Sequence, residues 1–445
     1  MKFSNKMMML CFGILIAVMG SIFIRALTAH ILVDELGVDN IVTQIVLFDN
    51  DELRGVTKPT SRKEEIDWAK QYPFEVEHIT NKKTDDGNTT AKIAIAIDAS
   101  PISKWTGERL LMYKNVVFAS KVYDGFLKWN VVALTDYNGV VEIQDGQLVT
   151  FLKRGNIAEK ATNIIELANF CKNHDIGFLY VNAPNEIGRN DNTYKGLDFS
   201  NENANEFLAN LKSNTINYID IRDNVEQEGL VLPNLFFRTD HHWLPETGLW
   251  ATGIIVKYLN DNDIIKSNIS LLNPKKYYKK VYKNWFLGSR GKKLTLLRTT
   301  PDDISLIYPN FKTRFRCVIP EYGLDTVGNF SVMYDKRHIE VKDYYNKNPY
   351  SAYCYGLRGY IHIENLLADN EKKILLIRES FANVVAPFLA TQCKELDILD
   401  LRIFDGSVRS FIKEHKPDIV IVLYCINDLF GEIYYKWHNN VWDFR

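Results

Sequence analysis

Cysteine is scarce here, and what there is lacks any useful spacing. The 445-residue chain has 6, with no CxxC pair. Cys11 lies in an apolar N-terminal stretch. Cys171, Cys317, Cys354, Cys393 and Cys425 remain, an odd number whose spacing suggests neither a disulfide framework nor a zinc site. They are expected to be buried free thiols. Net charge is almost absent too: 54 Lys and Arg against 55 Asp and Glu leave −1, so nothing in the overall balance calls for a polyanionic partner. No internal repeat is visible. A hydrophobic content of 46% with 24% charged residues excludes a disordered chain. The length suits one large domain or two ordinary ones.

Long hydrophobic runs are also rare, which makes the one at 7–24 informative. Lys2 and Lys6 precede it and Arg25 ends it. It sits at the short end of the range for a membrane-spanning helix, and the lysines favour a cytoplasmic N-terminus. A cleaved signal peptide is the competing reading, although Ala26-Leu27-Thr28 beside Arg25 is a poor cleavage site. Either reading exports the rest of the chain, as a membrane-anchored domain outside the cytoplasm or as a secreted one.

Five segments emerge from the pattern. Residues 1–25 form a cytoplasmic tip and signal anchor, and 26–91 a polar stalk. Within 92–262, the segment 102–129 reads as a long amphipathic helix and 131–151 as a hairpin. Ile157, Ala161, Ile164, Ile165, Ala168 and Cys171 then share one helical face. A buried strand at 176–184, a helix near 204–211, a strand at 218–221 and a helix from Pro245 to about 259 complete the segment. Residues 263–370, rich in Tyr, Asn, Lys and turn signals, read as a β-rich insertion or cap subdomain. The rhythm returns in 371–445, with strands at 374–377, 396–402 and 419–423 and a helix capped by Ser407. Continuous apolar strands between helices imply a parallel sheet covered on both faces, an α/β fold.

Two stretches carry chemistry. FFRTDHHWLPETG at 236–248 places Asp240 and His242 two residues apart. In extended backbone both side chains project to one face, with His241 pointing away, so Asp240 can orient His242. KKILLIRESFANVVAPFLA at 372–390 delivers Ser380 from the end of an apolar strand into a helix-like run, where Pro387 predicts a kink. A helix N-terminus there offers unpaired N–H groups, Phe381 among them, and Asn383 adds a side-chain amide for an oxyanion. Nucleophile, base and orienter are the groups that acyl transfer needs. The bland alternatives stay open at this point: a serine after a strand is commonly a helix cap, and Asp-His-His is commonly loop surface. A metal site from Asp240, His241 and His242 lacks a further ligand cluster, and neither metal nor cofactor is expected.

RTDHHWLPETG resembles the DHHW family of exported bacterial proteins, and is similar to the Asp-x-His-Trp segment of the alginate O-acetyltransferases. FLYVNAP at 178–184, FLGSRGKK at 286–293, LLIRESFANVVAPFLA at 375–390 and LDLRIFDG at 399–406 follow the order expected for that group, spanning roughly 129–430. The resemblance implies a circularly permuted SGNH-hydrolase (flavodoxin-like) fold, with Ser380 as nucleophile, His242 as general base and Asp240 as orienter. It also makes Asn427, in PDIVIVLYCIND, a candidate oxyanion asparagine; an Asn-Asp turn closing a strand is the plainer reading. Arg378-Glu379 departs from the Lys or Arg followed by Asp expected before the serine, and Leu244 replaces a common Thr.

The implied reaction is O-acetyl transfer to a cell-surface or secreted polysaccharide through a serine acyl-enzyme. A membrane-bound O-acyltransferase partner would supply acyl groups, since acetyl-CoA is absent outside the membrane. A carbohydrate esterase and a noncatalytic glycan-binding or assembly protein are the alternatives. Seven lysines and Arg290 at 275–293, interleaved with Tyr277, Tyr278, Tyr282 and Trp285, suit an anionic glycan or acidic lipid headgroups, or simply a solvated face. Trp243, Arg238, Trp285 and Arg290 are the candidate substrate contacts. Nucleic acid is excluded by compartment.

Overall fold

The computed structural model describes residues 140–143, 146–191, 194, 196–425 and 441–445. The expected anchor at 7–24, the stalk, the helix at 102–129 and Asn427 lie outside the described residues. Among the described residues no helix is long and apolar enough to cross a membrane. The chain divides into two compact units. The first takes in Met1–Gly139 with Lys292–Thr300, and the second Val140–Gly291 with Pro301–Arg445. Both chemistry-bearing stretches, 236–248 and 372–390, belong to the second unit.

The elements run in the order β1 (Val141–Glu142), β2 (Leu148–Val149), α1 (Ile157–Lys172), β3 (Gly177–Ala183), α2 (Ser200–Ser213), β4 (Tyr218–Asp220), α3 (Ile221–Gln227) and α4 (Pro245–Asp261). Then come β5 (Tyr277–Phe286), α5 (Ser289–Arg298), which crosses the unit boundary, β6 (Asp302–Pro309), β7 (Phe315–Ile319), β8 (Leu324–Gly328) and β9 (Tyr360–Asn365). The last are β10 (Lys373–Arg378), α6 (Ala386–Leu389), β11 (Glu395–Asp400), α7 (Val408–His415) and β12 (Ile419–Cys425).

An eight-stranded sheet in the order β4-β3-β12-β10-β11-β9-β7-β8 organises the second unit. The five strands from β4 to β11 pair in parallel, whereas β9, β7 and β8 are added antiparallel. The parallel strands are buried on both faces, as their unbroken apolar runs require. Leu376, Leu396, Ile398 and Ile421 enter one core with α4 and α6 residues such as Ile255 and Phe388. Their neighbours Leu375, Ile377, Leu399 and Val422 enter the other, with Ile164 and Leu167 of α1 and Phe207 of α2. That alternation follows from the period of two along a strand.

The α/β reading therefore holds, with one extension. The segment 263–370, expected to stand as an insertion or cap, contributes β7, β8 and β9 to the main sheet; only β5 and β6 form a ribbon of their own. Strands β7 and β9 bury alternate residues, while β8 alternates between half-buried and exposed positions and ends the sheet. The cysteines at 171, 317, 354 and 393 are buried free thiols and Cys425 is buried too, and burial pushes the Cys171 thiol up to about 12.

Candidate active site

Ser380, Glu379 and Cys425 follow or end the central parallel strands β10 and β12, at their carboxyl ends, where open α/β sheets place ligands. The run after Ser380 is not a regular helix. It is a 3₁₀ turn at Ser380–Val384, then α6 with Pro387 in its first turn, then another 3₁₀ turn at Ala390–Gln392. The cap of the first turn is Glu379, whose side chain accepts from the Phe381 N–H at 3.0 Å. Two expectations change accordingly. Ser380 is not the capping residue, and the Phe381 N–H, a candidate oxyanion donor, is committed to Glu379. Asn383 is 3% exposed and its Oδ1 has no hydrogen-bond partner.

The Asp-His-His segment is a turn, not extended backbone. Phe236 bridges Trp243, and Phe237 N–H donates to the His242 carbonyl, so 237–242 forms a tight loop. Asp240 and His242 meet through an Asx turn instead: Asp240 Oδ1 accepts the His242 backbone N–H at 3.1 Å and also contacts His242 Nδ1. His241 does not point away, since its ring lies 3.8 Å from that of His242. The His242 ring also stacks on Tyr350, centroids 4.1 Å apart.

His242 Nε2 lies 2.6 Å from Ser380 Oγ. With the Asp240 carboxylate on Nδ1, that nitrogen carries the proton, and Nε2 is left to accept from the serine hydroxyl. The structure thus brings Ser380, His242 and Asp240 into one chain of hydrogen bonds across 138 residues of sequence.

Neighbouring segments hold the chain in place. Trp243 Nε1 donates to the Phe381 carbonyl at 2.8 Å, tying the histidine turn to the serine turn. Gly248 of α4 faces Val384, and a Cβ there would lie 2.5 Å from the Val384 carbonyl oxygen and Cγ2, so only glycine lets α4 lie so close. The turn after β5 holds Asp240 from the far side. Ser289 N–H donates to Asp240 Oδ2 at 2.6 Å, and Gly288 leaves no room for a Cβ against Asp240. Thr239 is pinned by Asp302, its hydroxyl donating at 2.6 Å. Sequence reasoning singled out the FLGSRGKK segment but assigned Ser289 no role.

Electrostatics suit an ionised orienter. Burial would raise the Asp240 pKa, but the neighbouring His241 and His242 rings, the His242 Nδ1 hydrogen bond and the Ser289 N–H outweigh it and hold the carboxyl far below the usual carboxylate range. Burial, reinforced by His242, pushes His241 well below the usual imidazole value, so it stays neutral. Ligand atoms of Asp240, His241 and His242 lie within 4.8 Å of one another, a grouping able to hold a metal. Here, however, Asp240 is bonded to His242, and Nε2 to Ser380, so hydrogen bonds account for the grouping.

The candidate substrate contacts fare differently. Trp243 is fully buried under the serine turn and has no face for a sugar. Arg290 is 8% exposed, paired with the buried Glu186 and donating to the Leu148 carbonyl at 2.8 Å, a structural role. The Trp285 indole donates to the Ile339 carbonyl at 3.0 Å, and Lys342 sits over its ring. Arg238 is half-buried, its backbone N–H on Asp302. Arg402, which lies in LDLRIFDG but was assigned no role from sequence, forks onto Asp400 at 2.7 and 2.8 Å and influences both Glu379 and His241.

No family model and no curated protein matches the chain. Solved structures do. Bacillus cereus PatB1 gives a TM-score of 0.55 at 22% identity, over 66% of this chain and 98% of that one. The same protein with a sulfonyl adduct gives 0.53 at 22%, over 67% and 97%. A DHHW family protein from Eubacterium siraeum gives 0.50 at 18%, over 66% and 92%. The resemblance to the DHHW family is thereby borne out in the fold.

Proposed function

We propose that the protein is an extracytoplasmic, membrane-anchored O-acyltransferase that moves acetyl groups to hydroxyls of a polysaccharide through an acyl-enzyme on Ser380. The observation that carries this reading is the hydrogen bond of 2.6 Å between Ser380 Oγ and His242 Nε2, with Asp240 on the opposite ring nitrogen. The order of the chain, with the Asp and His before the serine, supports reading the fold as a permuted SGNH arrangement. That PatB1 carries a sulfonyl adduct adds support, because such adducts form on activated nucleophiles.

In the first half-reaction the serine oxygen bonds the acyl carbon while its proton passes to Nε2. The imidazolium, held by Asp240, then returns that proton to the leaving group as its bond breaks. In the second, an acceptor hydroxyl gives its proton to Nε2 as its oxygen bonds the acyl carbon; the bond from that carbon to Ser380 Oγ then breaks, Nε2 returns the proton to Oγ, and the acetylated acceptor leaves as the ester. Asn383 and Asn427 are the oxyanion candidates that remain. The expected anchor at 7–24 would hold the site near a membrane-bound acyl donor.

The test supplies an activated acetyl ester with soluble oligosaccharide acceptors and follows O-acetylated sugar. Acetylated product that disappears in Ser380→Ala is the expected result. Release of free acetate alone, undiminished by acceptor, would move the protein to the esterases. Sugar acetylation unchanged in Ser380→Ala would refute the reading.

A further inference from the structure

Glu379 is buried to 2% exposure and sits beside the reacting atoms, yet neither half-reaction calls on it. Its two oxygens are fully placed. Oε2 accepts the Phe381 N–H at 3.0 Å and lies 3.1 Å from Ser380 Oγ. Oε1 accepts the N–H of Cys425, the last residue of β12, at 3.1 Å. The carboxylate thus ties the serine turn to the neighbouring strand and also touches the nucleophile. In sequence Glu379 is a departure with an overlong arm. That arm reaches both β12 and the turn.

Resting on the acyl-transfer reading, we propose that Glu379 is a second carboxylate of the site, positioning Ser380 and stabilising the imidazolium that forms on His242. When the serine proton moves to Nε2, the new positive charge has Asp240 on one nitrogen and Glu379 beside the other. The coupling is reciprocal: the charge on His242 favours ionised Glu379, so ionised Glu379 favours charged His242. Burial raises the Glu379 pKa and outweighs Arg402, the Phe381 N–H, His242 and the Cys425 N–H, which favour the carboxylate. The other groups facing the pair are Tyr180 of β3, Tyr424 of β12, Tyr350 against the histidine ring, Asp400 beside Arg402, and His241 and Asp240 on the histidine turn.

The experiment measures hydrolysis of an activated acetyl ester against pH for the whole protein, Glu379→Gln and Glu379→Asp. Gln keeps shape and an acceptor but removes the charge. Its turnover is expected to fall roughly 10- to 100-fold with KM little changed, since a slightly misplaced nucleophile is enough for that loss. Its acid limb, which reports neutral His242, should move to lower pH by about half a unit or more, because losing a nearby anion makes the ring less basic. Asp keeps the charge, so its turnover drops while the limb stays in place. A purely structural Glu379 would lower turnover in both variants and leave both limbs where they are, and that result overturns the proposal. Should the Gln variant not fold, the Nδ1 proton resonance of His242 in the unaltered protein decides. Two titration steps are expected of coupled groups, and a single step contradicts the coupling. An unaltered protein inert to the ester would sink the acyl-transfer reading itself, and this inference with it.

Discussion

The Ser380 hydroxyl has one proton and two acceptors within reach, His242 Nε2 at 2.6 Å and Glu379 Oε2 at 3.1 Å. Asp240 makes His242 one of those acceptors, because its carboxylate accepts the Nδ1–H hydrogen bond and so leaves Nε2 without a proton. Asp240→Asn replaces that acceptor with an amide able to donate, which favours the wrong tautomer. Turnover on an activated ester should fall on the order of 10³- to 10⁴-fold with the fold intact, as steady-state kinetics and circular dichroism would register. The three residues of this chain were legible because their types and the i, i+2 spacing are local facts. The geometry joining them was not, since an Asx turn and an extended strand satisfy the same spacing. Trp243 shows the same limit: a tryptophan beside a candidate base reads equally as a sugar platform or as an anchor. Only its bond to the Phe381 carbonyl, 138 residues away, decides for the anchor.

Helix α4 carries two interior glycines that separate packing from propensity. A Cβ at Gly248 meets Val384, whereas one at Gly253 meets nothing within 4 Å. Gly248→Ala should destabilise by about 1–3 kcal/mol and displace the serine turn from His242, with a loss of turnover. Gly253→Ala should stabilise by about 0.5–1 kcal/mol and leave turnover unchanged. Equal effects in thermal unfolding and kinetics would refute the close approach of α4 to the turn. A second element-scale test lies at the junction of β11 and β9, where Asp397 of β11 accepts from His362 Nδ1 and from Tyr360 of β9 at 2.8 Å, and contacts His415 Nδ1 of α7 at 3.2 Å. The bond to Asp397 outweighs burial and raises the His362 pKa. The stabilisation is therefore complete below the unfolded value, about 6.5, and is lost as pH rises through the higher folded value. The unfolding midpoint should decline over that window, and the decline should be absent in His362→Gln. Helices α1, α4 and α7 and strands β3, β10 and β12 were legible because period and capping are written locally. The turn after Ser380 was not, because its apolar run resembles a helix until Pro387 and the contacts to α4 break it.

At the scale of the whole molecule, two cores sandwich a sheet whose central strands deliver the site from their carboxyl ends. The parallel half could be read from unbroken apolar runs, since only burial on both faces tolerates them. The antiparallel edge could not. Strands β7 to β9 alternate like any half-exposed hairpin, and nothing local says that β9 will pair with β11 instead of standing apart in a cap. Pairing partners are chosen by the assembled sheet. The same assembly brings the histidine turn onto the serine turn, and function rests on whether that meeting makes a nucleophile. The most direct measurement treats the protein with an arylsulfonyl fluoride and maps the modified peptide by mass spectrometry. A single adduct on Ser380, lost in His242→Ala, is the predicted result. Full modification of Ser380 in the His242→Ala protein, or an adduct only on other residues, would contradict it.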